Sequence, residues 1–583
     1  MSASVTQEKT EQKGAISCLK KCLPLVSVVF SFAIYLRTLA PTIYWGDGIE
    51  LSAVCASGGI SHPTGYPLFT MFGYVISRFF PGNPALGTNL LCAFFASLAS
   101  GAFYFAVRAA LSFVPDRFFL HSHYRDIFAF MASLVLAFSS TLWFHATITE
   151  VYTLHILFVV LLLWSFLEYH RKNSNNWFLV FFGLWGLSFS HHMQSGTLAP
   201  LAFVMLWTFF HKKGSRKFLF LALVLFLLGF LPYIYLPLRA ASKPSLNWGD
   251  PSNIRNFLWV VSGGDFKKHQ FLMEMPNIPF TFSTFYIHAL RRIRRFSFWL
   301  PGEIYHFPRG SHLFQKLGFA LFMACVFWGS VSVFLREKKA VLGIWGSILM
   351  GMLMVLLYNI QDIEPYFLNT FPGFLILGIW GFAGISDLIE RGLFTRKINF
   401  LPYIFILIPV FSLFSHYPIQ DKSQNTDAYH YGGRILQHCP KRAIVLTMSD
   451  NDIYILWYFQ KALGIRPDIT VLGANFIHSG WYAEYFKNLS GNQPEFTIQQ
   501  AASLPTREDF YIDLMLWIIN PNIDRFPILL TFTDPFLEQM YQVRKVCQLL
   551  GEEDYKSALL SYLPPPYLFR LYKKEAIDTK QRN

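Results

Sequence analysis

The sequence predicts a multi-pass α-helical membrane protein of about eleven spans, followed by a small C-terminal α/β domain. Of its 583 residues, 53% are hydrophobic and only 14% are charged, whereas soluble chains carry roughly 25% charged residues. Apolar runs of roughly 20 residues, the length of a helix that crosses a bilayer, recur from residue 23 to residue 416. After about Tyr417 the apolar runs become short and alternate with polar turns, as in a soluble domain.

Each predicted span is a mostly apolar run with charged or turn-forming residues at its ends. The runs lie near residues 23–40, 88–111, 127–144, 151–169, 176–191, 195–211, 217–238, 313–335, 340–359, 366–388 and 398–416. A polar break at Ser190, His191 and His192 leaves a re-entrant segment open as an alternative for the fourth to sixth spans. Residues 23–416 thus form the predicted transmembrane domain.

Lysine and arginine are concentrated in the N-terminal segment and in every second loop. Cytoplasmic loops carry an excess of these residues, so the parity predicts a cytoplasmic N-terminal tail, residues 1–22. The opposite loops, of which 41–87 and 239–312 are the longest, then face outward together with residues 417–583. In a bacterium this topology places the chain in the inner membrane, with an extracytoplasmic, periplasmic C-terminal domain.

The composition excludes two other classes. The formal net charge is +14, but much of the excess lies in short loops, and no zinc-ligand spacing, basic helix or nucleic-acid motif accompanies it. We therefore expect no nucleic-acid partner. The seven cysteines are scattered and predict neither a disulfide framework nor a metal site.

The first outer loop presents two carboxylates, Asp47 and Glu50, just after a span ends. Residues three apart are neighbours on a helix, so a helix that starts near Asp47 places both acids on one face. A structural role is the simpler interpretation, because acids suit the dipole at a helix N-terminus. The nearby Trp45 and His62 favour the catalytic interpretation, in which a carboxylate takes a proton from an acceptor hydroxyl.

The segment from His62 to Pro67 predicts a rigid corner that leads into a short helix. Pro63 and Pro67 stiffen the backbone, and Gly65 permits a turn. Beside that structural role, we interpret Trp45, His62 and Tyr66 as candidate substrate contacts.

Cations occur at two places in the outer loop 239–312. Arg239 and Lys243 follow the seventh span, where an arginine either snorkels to the membrane surface or pairs with the phosphate of a lipid substrate. Farther along, Arg291, Arg292, Arg294 and Arg295 alternate with aromatic and aliphatic residues, which predicts an interfacial helix that binds anionic headgroups.

Other ionisable residues lie near the same predicted face. Asp362 and Glu364 are candidate substrate contacts, whereas Glu150 with Tyr152 is interpreted as the cap of the fourth span. A divalent metal held by His62, His191 and the acids stays an alternative, but none of the spacings favours it. The sequence therefore establishes no cofactor, and a divalent metal stays open as the less favoured alternative.

The C-terminal region predicts a βαβ unit. Residues 443–447, 469–472 and 527–532 are predicted strands, and 451–463 is a predicted helix. Residues 535–562 have a helical pattern. No glycine-rich loop follows the first strand, so no nucleotide site is predicted.

Several ordered segments resemble one known family. They include W-G-D-G-I-E at 45–50, S-H-P-T-G-Y-P-L at 61–68, I-T-E-V-Y at 148–152, Y-L-P-L-R-A-A at 235–241, N-W-G-D-P at 247–251, N-I-Q-D-I-E-P-Y at 359–366, D-N-D-I-Y-I-L-W-Y-F-Q at 450–460 and G-I-R-P-D-I-T-V at 464–471. From about residue 30 to 485 the chain is similar to a large bacterial multi-pass membrane family, long of unknown function. Its animal relatives are the transmembrane protein O-mannosyltransferases that act on plexin-type receptor domains.

The resemblance implies the architecture of C-type glycosyltransferases and a sugar donor carried on a polyprenyl phosphate. It implies that Asp47 is the catalytic base, that Glu50 assists it or positions the acceptor, and that Arg239 contacts the phosphate. One departure concerns Gly48, since related mannosyltransferases outside this family often have adjacent Asp and Glu. The division of labour between the two acids is therefore left open.

The predicted function is transfer of a sugar, with mannose the best single guess, from a polyprenyl-phosphate donor. The acceptor is a hydroxyl of a secreted or envelope protein or glycan at the outer face of the bilayer, and one displacement inverts the anomeric centre. The alternative is a membrane transporter or lipid flippase, for which we expect mid-span ionisable groups and paired broken helices. A membrane anchor for the outer domain is the third interpretation.

Overall fold

The helices follow the apolar runs of the sequence. A computed structural model of the chain describes residues 22–114, 123–269, 282–308, 310–360, 362–393, 405–476, 481–482, 518–519, 522–532, 555–559 and 567–573. The longer helices are α1 (Cys22–Thr38), α2 (Gly48–Ser57), α3 (Pro67–Ser77), α4 (Pro84–Ala110), α5 (His123–Ala137), α6 (Ser140–Ala146), α7 (Tyr152–Lys172), α8 (Asn175–Phe189), α9 (Ala199–His211), α10 (Arg216–Leu228), α11 (Tyr235–Ala241), α12 (Ile254–Val261), α13 (Phe282–Gly302), α14 (His312–Leu357), α15 (Glu364–Leu368), α16 (Phe371–Leu393), α17 (Leu407–Gln420), α18 (Asp427–His438) and α19 (Asp450–Trp457).

A helix overlaps each predicted span, and the number of crossings is a separate matter. Among the described residues, five helical segments are long and apolar enough to cross a membrane: Pro84–Phe113, Tyr152–Lys172, Met193–His211, Arg216–Ala241 and His312–Leu357. A sixth is reached if the pair Tyr124–Ala137 and Ser140–Ala146, bent by 64°, counts as one span. Membrane integration is thus supported, and the figure of about eleven crossings stays a prediction.

Helix α14 doubles back on itself at Glu337, where the backbone leaves the helical region with φ −138° and ψ 67°. The indole Nε1 of Trp345 donates a hydrogen bond of 2.9 Å to Ser330 Oγ, on the other side of this break. In a straight helix, 15 residues would separate these groups by roughly 22 Å. The two halves are therefore antiparallel, which agrees with predicted spans at 313–335 and 340–359.

The C-terminal part of the chain contains a five-stranded sheet in the order β2-β1-β3-β5-β4. The strands are β1 (Ile444–Thr447), β2 (Thr470–Gly473), β3 (Ile528–Phe532), β4 (Tyr555–Leu559) and β5 (Tyr567–Lys573). Strand β1 pairs in parallel with β2 and β3, while β5 is antiparallel to β3 and β4. The three predicted strands are thus present as β1, β2 and β3, and we refer to the described residues between 427 and 573 as the α/β unit.

One prediction in this region is wrong. The helical pattern at 535–562 includes Tyr555–Leu559, which form strand β4. Lysine, alanine and leucine favour a helix locally, but pairing with β5 determines the outcome, because strand formation depends on neighbouring strands more than on local propensity. The rest of the range 535–562 lies outside the described residues.

The α/β unit shares a hydrophobic core with the loop of residues 41–87. One cluster of buried side chains contains Ile49 and Val54 of α2 together with Ile453 and Trp457 of α19. A larger, separate cluster fills the helical bundle. Helix α2 is therefore packed against the α/β unit, and this contact places both elements around one cavity.

Candidate active site

Asp47 lies at the N-terminus of α2. The preceding residue, Gly46, has φ +105°, a conformation that side chains rarely adopt. The helix begins at Gly48, and the Asp47 carboxylate makes no capping hydrogen bond and is exposed. The carboxylate is thus available to a ligand rather than consumed in capping its own helix.

Gly48 allows α2 to approach the segment that precedes α7. A Cβ atom at position 48 would lie 2.2 Å from the carbonyl oxygen of Thr149, closer than any real Cβ contact. Hydroxyl groups fasten the same junction: Ser52 Oγ donates to Thr149 Oγ1 at 3.0 Å, and Thr149 Oγ1 donates to Asn89 Oδ1 at 2.7 Å. This packing explains why glycine, and not glutamate, follows Asp47.

The same junction brings Glu150 close to Asp47. The thiol of Cys92 donates to the Glu150 carbonyl at 3.2 Å and accepts from the Glu150 amide at 3.3 Å. Burial raises the pKa of Glu150 to about 8, and the charge of Asp47 contributes to that rise. Glu150, interpreted from sequence as a helix cap, therefore stands beside Asp47 as a predominantly neutral acid at pH 7.

Glu50 is fully buried and holds His62 from behind. One carboxylate oxygen of Glu50 accepts from the His62 amide at 3.1 Å, and the other contacts His62 Nδ1 at 2.9 Å. Burial raises the pKa of Glu50, which His62 opposes. Burial also favours the neutral imidazole, but the charge of Glu50 and its hydrogen bond to the ring, helped by the charge of Asp47, outweigh burial and raise the pKa of His62 to about 9. The pair therefore retains a proton at neutral pH.

These elements surround a cavity of about 290 Å³, which we call the polar cavity. Its polar lining, among the described residues, combines acids, imidazoles and phenols: Asp47, Glu150, Asp362, Asp450, His62, His192, Tyr66, Tyr152, Tyr358 and Tyr366. No lysine or arginine is among the described residues that line it. His62 is thus its main source of positive charge.

The floor of the polar cavity contains His192. Its Nδ1 accepts a hydrogen bond of 3.2 Å from the Gln194 amide, so the ring proton is on Nε2 when the imidazole is neutral. Burial, together with His155 and His191, lowers the pKa of His192 well below its usual range. The ring packs between Tyr66 and Tyr152, at centroid distances of 5.7 and 5.8 Å. His192 is therefore a neutral, fixed hydrogen-bonding group.

A second, apolar groove of about 610 Å³ adjoins the polar cavity through Met193, which lines both. Its other lining residues are mainly aromatic and aliphatic, and include Phe189, Phe230, Ile234, Phe257 and Val261. We call it the apolar groove. Ile234 is 51% exposed, so the groove is open along the side of the helical bundle.

The structure brings four of the sequence-predicted site residues to the polar cavity: Asp47, His62, Tyr66 and Asp362. Glu50 lies behind His62 and does not line it. Their proximity is a structural fact, and their roles in catalysis or substrate binding stay predictions.

Trp45 and Arg239, two other predicted site residues, have protein partners away from the polar cavity. The Trp45 ring packs edge-on against Tyr431 at a centroid distance of 5.4 Å. Arg239 Nε donates a hydrogen bond of 2.6 Å to the carbonyl of Gly58, at the C-terminal end of α2. Arg239 thereby satisfies a backbone oxygen of that helix end. Lys243, which follows α11 in a left-handed conformation, is exposed and also does not line the cavity.

Two arginines of α13 have protein partners, and the headgroup interpretation of the cluster stays a prediction. Arg292 donates to the carbonyls of Tyr358 and Ile360, at 3.1 and 2.6 Å. Arg295 pairs with Glu364, the second acid of this segment predicted to contact substrate, and Glu364 is not among the described residues that line the polar cavity. These bonds hold the segment that supplies Tyr358 and Asp362 to the polar cavity.

Sequence reasoning missed Glu150 and Asp450 as cavity residues. Both lie in segments that the family resemblance singles out, I-T-E-V-Y and D-N-D-I-Y. That signal marked the segments, but their approach to Asp47 depends on contacts between residues distant in the chain. Among the described residues, no group of three His, Cys, Asp or Glu side chains is arranged to hold a metal ion.

The fold and the cavity define a multi-pass helical protein with the architecture of ArnT. The chain aligns with the crystal structure of ArnT from Cupriavidus metallidurans in the apo state, with a TM-score of 0.54 at 10% identity, covering 94% of this chain and 97% of that one. The structure of the same protein bound to undecaprenyl phosphate gives a TM-score of 0.52 at 11% identity, with 95% and 97% covered. At these identities the likeness concerns the fold.

Two family profiles match the sequence itself. The one described as "Protein O-mannosyl-transferase TMEM260 N-terminal domain" matches residues 47–217, and the one described as "TMEM260-associated domain 2" matches residues 428–560. Together they take in more than half of the chain. The chain belongs to the TMEM260 O-mannosyltransferase family, as the sequence resemblance predicted.

Curated relatives extend the match. Protein O-mannosyl-transferase TMEM260 of Mus musculus is 24% identical over 471 residues, which cover 77% of this chain and 62% of the relative. The Dictyostelium discoideum protein of the same name is 22% identical over 520 residues, with 81% and 59% covered. The chain thus spans about 60% of the length of these relatives.

Proposed function

We propose that the protein is an integral-membrane glycosyltransferase that moves a sugar from a polyprenyl-phosphate donor to a hydroxyl of a protein or glycan. The observation that carries the proposal is the juxtaposition of Asp47, Glu150 and His62 in the polar cavity, next to an apolar groove. Membership of an O-mannosyltransferase family supports the reaction class, and mannose is the best single guess for the donor sugar.

Asp47 is the proposed general base. Its exposed carboxylate takes the proton from the acceptor hydroxyl as the hydroxyl oxygen attacks the anomeric carbon. The bond from that carbon to the phosphate oxygen breaks in the same displacement, which inverts the anomeric centre. The phosphate leaves as an anion and needs no general acid.

His62 is the proposed cation for the leaving phosphate, in place of Arg239. Its Nδ1 is held by Glu50, and its raised pKa keeps the ring protonated at neutral pH, so Nε2–H is the second donor. A preorganised donor that faces developing negative charge stabilises the transition state. Because Glu150 is a neutral acid, it adds no negative charge beside Asp47 that would repel the leaving phosphate.

The apolar groove supports a lipid-linked donor. An isoprenoid chain that lies against Phe257 and Ile234 would end at Met193, where the groove meets the polar cavity. Burying the chain there is favoured by its apolar contacts, while the phosphate and sugar reach the polar side. Undecaprenyl phosphate bound to ArnT, a protein of the same fold, is consistent with this donor class.

We further propose that the polar cavity faces outward, with the N-terminus in the cytoplasm. The alternation of basic loops supports this orientation. The acceptor is then a secreted or envelope protein or glycan, and in a bacterial cell the reaction takes place at the periplasmic face of the inner membrane.

The test uses purified protein in lipid nanodiscs, radiolabelled mannosyl-phosphoryl polyprenol and a cell-envelope fraction. We expect transfer of label by the wild-type protein and loss of transfer in Asp47→Asn. Asp427→Asn, which alters an exposed acid outside the polar cavity, is the matched control. Transfer by Asp47→Asn at the wild-type rate would remove Asp47 as the base. In a parallel experiment with the protein in sealed lipid vesicles, uptake of the labelled donor without transfer would favour a transporter.

A further inference from the structure

The α/β unit reaches the polar cavity through the loop after β1, the middle one of its three parallel strands. Strand β1 ends at Thr447, Ser449 caps α19 by accepting a hydrogen bond from the Asp452 amide at 3.3 Å, and Asp450 lines the cavity. In α/β sheets, ligands bind at the carboxyl ends of the parallel strands. Here that edge is directed at the site of Asp47.

The two residues before Asp47 both contact the α/β unit. Asn451 Oδ1 accepts a hydrogen bond of 2.9 Å from the Gly46 amide, and the Trp45 ring packs against Tyr431. The hydroxyl of Tyr431 in turn donates to Asp452, the residue after Asn451. The contacts therefore close a ring that joins Trp45 and Gly46 to the start of α19.

On its other side, Asp47 is fixed by the helical bundle. Gly48 packs against the Thr149 carbonyl, and Ser52 donates to the Thr149 hydroxyl. Asp47 thus lies between two contacts: the residues before it in the chain contact the α/β unit, and Gly48 after it contacts the helical bundle. Its carboxylate has no hydrogen bond of its own to fix it in α2, so its position depends on the backbone at both sides.

We propose that the turn Ser449–Asp452 contributes two functional residues to the proposed active site. Asn451 is a positioning residue that fixes the backbone beside Asp47, and Asp450 is a specificity residue that faces the acceptor. The inference rests on the proposed function and deepens it, because it assigns the domain matched at residues 428–560 a role in acceptor recognition.

The chemistry of Asp450 indicates the acceptor class. Asp47, Asp362 and Asp450 are all exposed acids that line the cavity, so an approaching acceptor meets negative charge on several sides. A carboxylate pairs with N–H donors and with cations and repels other carboxylates. The acceptor segment is therefore neutral or basic around its reactive hydroxyl, and acidic flanks are rejected.

The first test concerns Asn451. Asn451→Leu keeps the approximate shape but removes the acceptor for the Gly46 amide, whereas Asn451→Asp retains an acceptor oxygen. We expect Asn451→Leu to lower kcat about 100-fold, since displacement of a catalytic group by about 1 Å costs that much, with both KM values unchanged. Asn451→Asp should retain most of the activity.

An independent readout of the same bond does not require activity. Hydrogen–deuterium exchange of a peptide that spans residues 43–50 should accelerate in Asn451→Leu, and the melting temperature of the protein should change little. Unchanged exchange in this peptide, or full kcat in Asn451→Leu, would overturn the positioning role.

The second test concerns Asp450, with two acceptor peptides that carry either lysine or glutamate beside the serine or threonine. We expect wild-type protein to prefer the basic peptide. Asp450→Asn should raise the KM for the basic peptide about tenfold, the effect of losing one hydrogen bond to a charged group. The donor KM should stay the same. Asp427→Asn, also an exposed acid in the first turn of a helix of the α/β unit, is the control.

The outcomes separate this inference from the function on which it rests. Wild-type protein that transfers no sugar overturns both. If the wild-type protein transfers sugar, and Asp450→Asn has the same peptide preference and the same acceptor KM as the wild type, the specificity role alone is overturned.

Discussion

The polar cavity and the apolar groove share one residue, Met193, and differ in polarity and volume. The polar cavity of about 290 Å³ is lined by carboxylic acids, imidazoles and phenols as well as apolar side chains such as Leu51 and Met354, and is assembled from segments far apart in the chain. The groove of about 610 Å³ is lined by consecutive turns of a few neighbouring helices and is almost entirely apolar. The difference is what the proposed function requires, in which the cavity performs the chemistry and the groove holds the carrier lipid.

The largest effect is expected from breaking the assembly of the polar cavity at Gly48. Gly48→Ala places a Cβ atom 2.2 Å from the Thr149 carbonyl oxygen, so α2 must move away from the segment that carries Glu150. We expect kcat to fall about 100-fold, because catalytic geometry tolerates little displacement, while the donor KM changes little. Transfer assays with varied donor concentration measure both.

The control for Gly48→Ala is the same change at Gly433, where a Cβ meets no atom within 4 Å. Gly433 lies in α18, outside both the cavity and the groove. A Gly48→Ala protein with wild-type kcat would show that the close approach of α2 to Thr149 does not determine the active geometry.

The groove is tested by making its wall polar. Ile234→Asn places an amide where an isoprenoid chain is expected to pack, so the KM for a long-chain donor should rise about tenfold, roughly the loss of one buried aliphatic side chain. A donor with two isoprene units, too short to occupy the groove, should be unaffected. Leu238→Asn, 67% exposed and not in the groove, is the matched control.

If both donor lengths respond equally to Ile234→Asn, the groove does not hold the lipid. The comparison of chain lengths separates this result from a general loss of folded protein, which would lower transfer from both donors.

The pH dependence sharpens the assignment within the polar cavity. The pKa of Glu150 is about 8 and that of His62 about 9, both raised above their ordinary values. As pH rises, Glu150 first gains a negative charge beside Asp47, and His62 then loses its positive charge. We expect kcat/KM to decline above about pH 8 and Glu150→Gln, which stays neutral, to move the decline toward pH 9.

A pH profile of Glu150→Gln that is identical to the wild-type profile would exclude Glu150 as the group responsible for the first part of the decline. His62→Gln provides the complementary measurement, since its residual activity should lose the step near pH 9.

The smallest effect is expected from Arg239, the cation assigned to the phosphate by the resemblance. Its guanidinium is bonded to the Gly58 carbonyl and does not line the cavity. Arg239→Ala should therefore reduce transfer only a few-fold, about the effect of losing one hydrogen bond at a helix end. A donor KM raised more in Arg239→Ala than in His62→Gln would restore Arg239 as the phosphate contact.

The helices could be predicted from the sequence because hydrophobicity is a local property. Each apolar run corresponds to a helix, and even the reversal near Glu337 was marked by the basic residues Arg336 and Lys338. The strand at Tyr555–Leu559 could not be predicted from the sequence, because its conformation depends on pairing with β5.

The site was predictable only in its local part. Asp47, Glu50 and His62 lie within one loop, so their proximity follows from short spacing. Glu150 and Asp450 join them only through long-range contacts, the Thr149 junction and the edge of the sheet. The bond between Arg239 and the Gly58 carbonyl was also unpredictable from the sequence, because these residues are 181 positions apart in the chain.

The reversal at Glu337 has a practical consequence for experiments on living cells. The turn between the two halves of α14 consists of hardly more than one residue, and Ser330 and Trp345 lock the halves together shortly beyond it. An epitope tag or a protease recognition sequence inserted there would have to disrupt the packing between the two halves of α14. Reporter fusions that map the sidedness of this protein should therefore be placed elsewhere, and a silent reporter at this turn would say nothing about which compartment it faces.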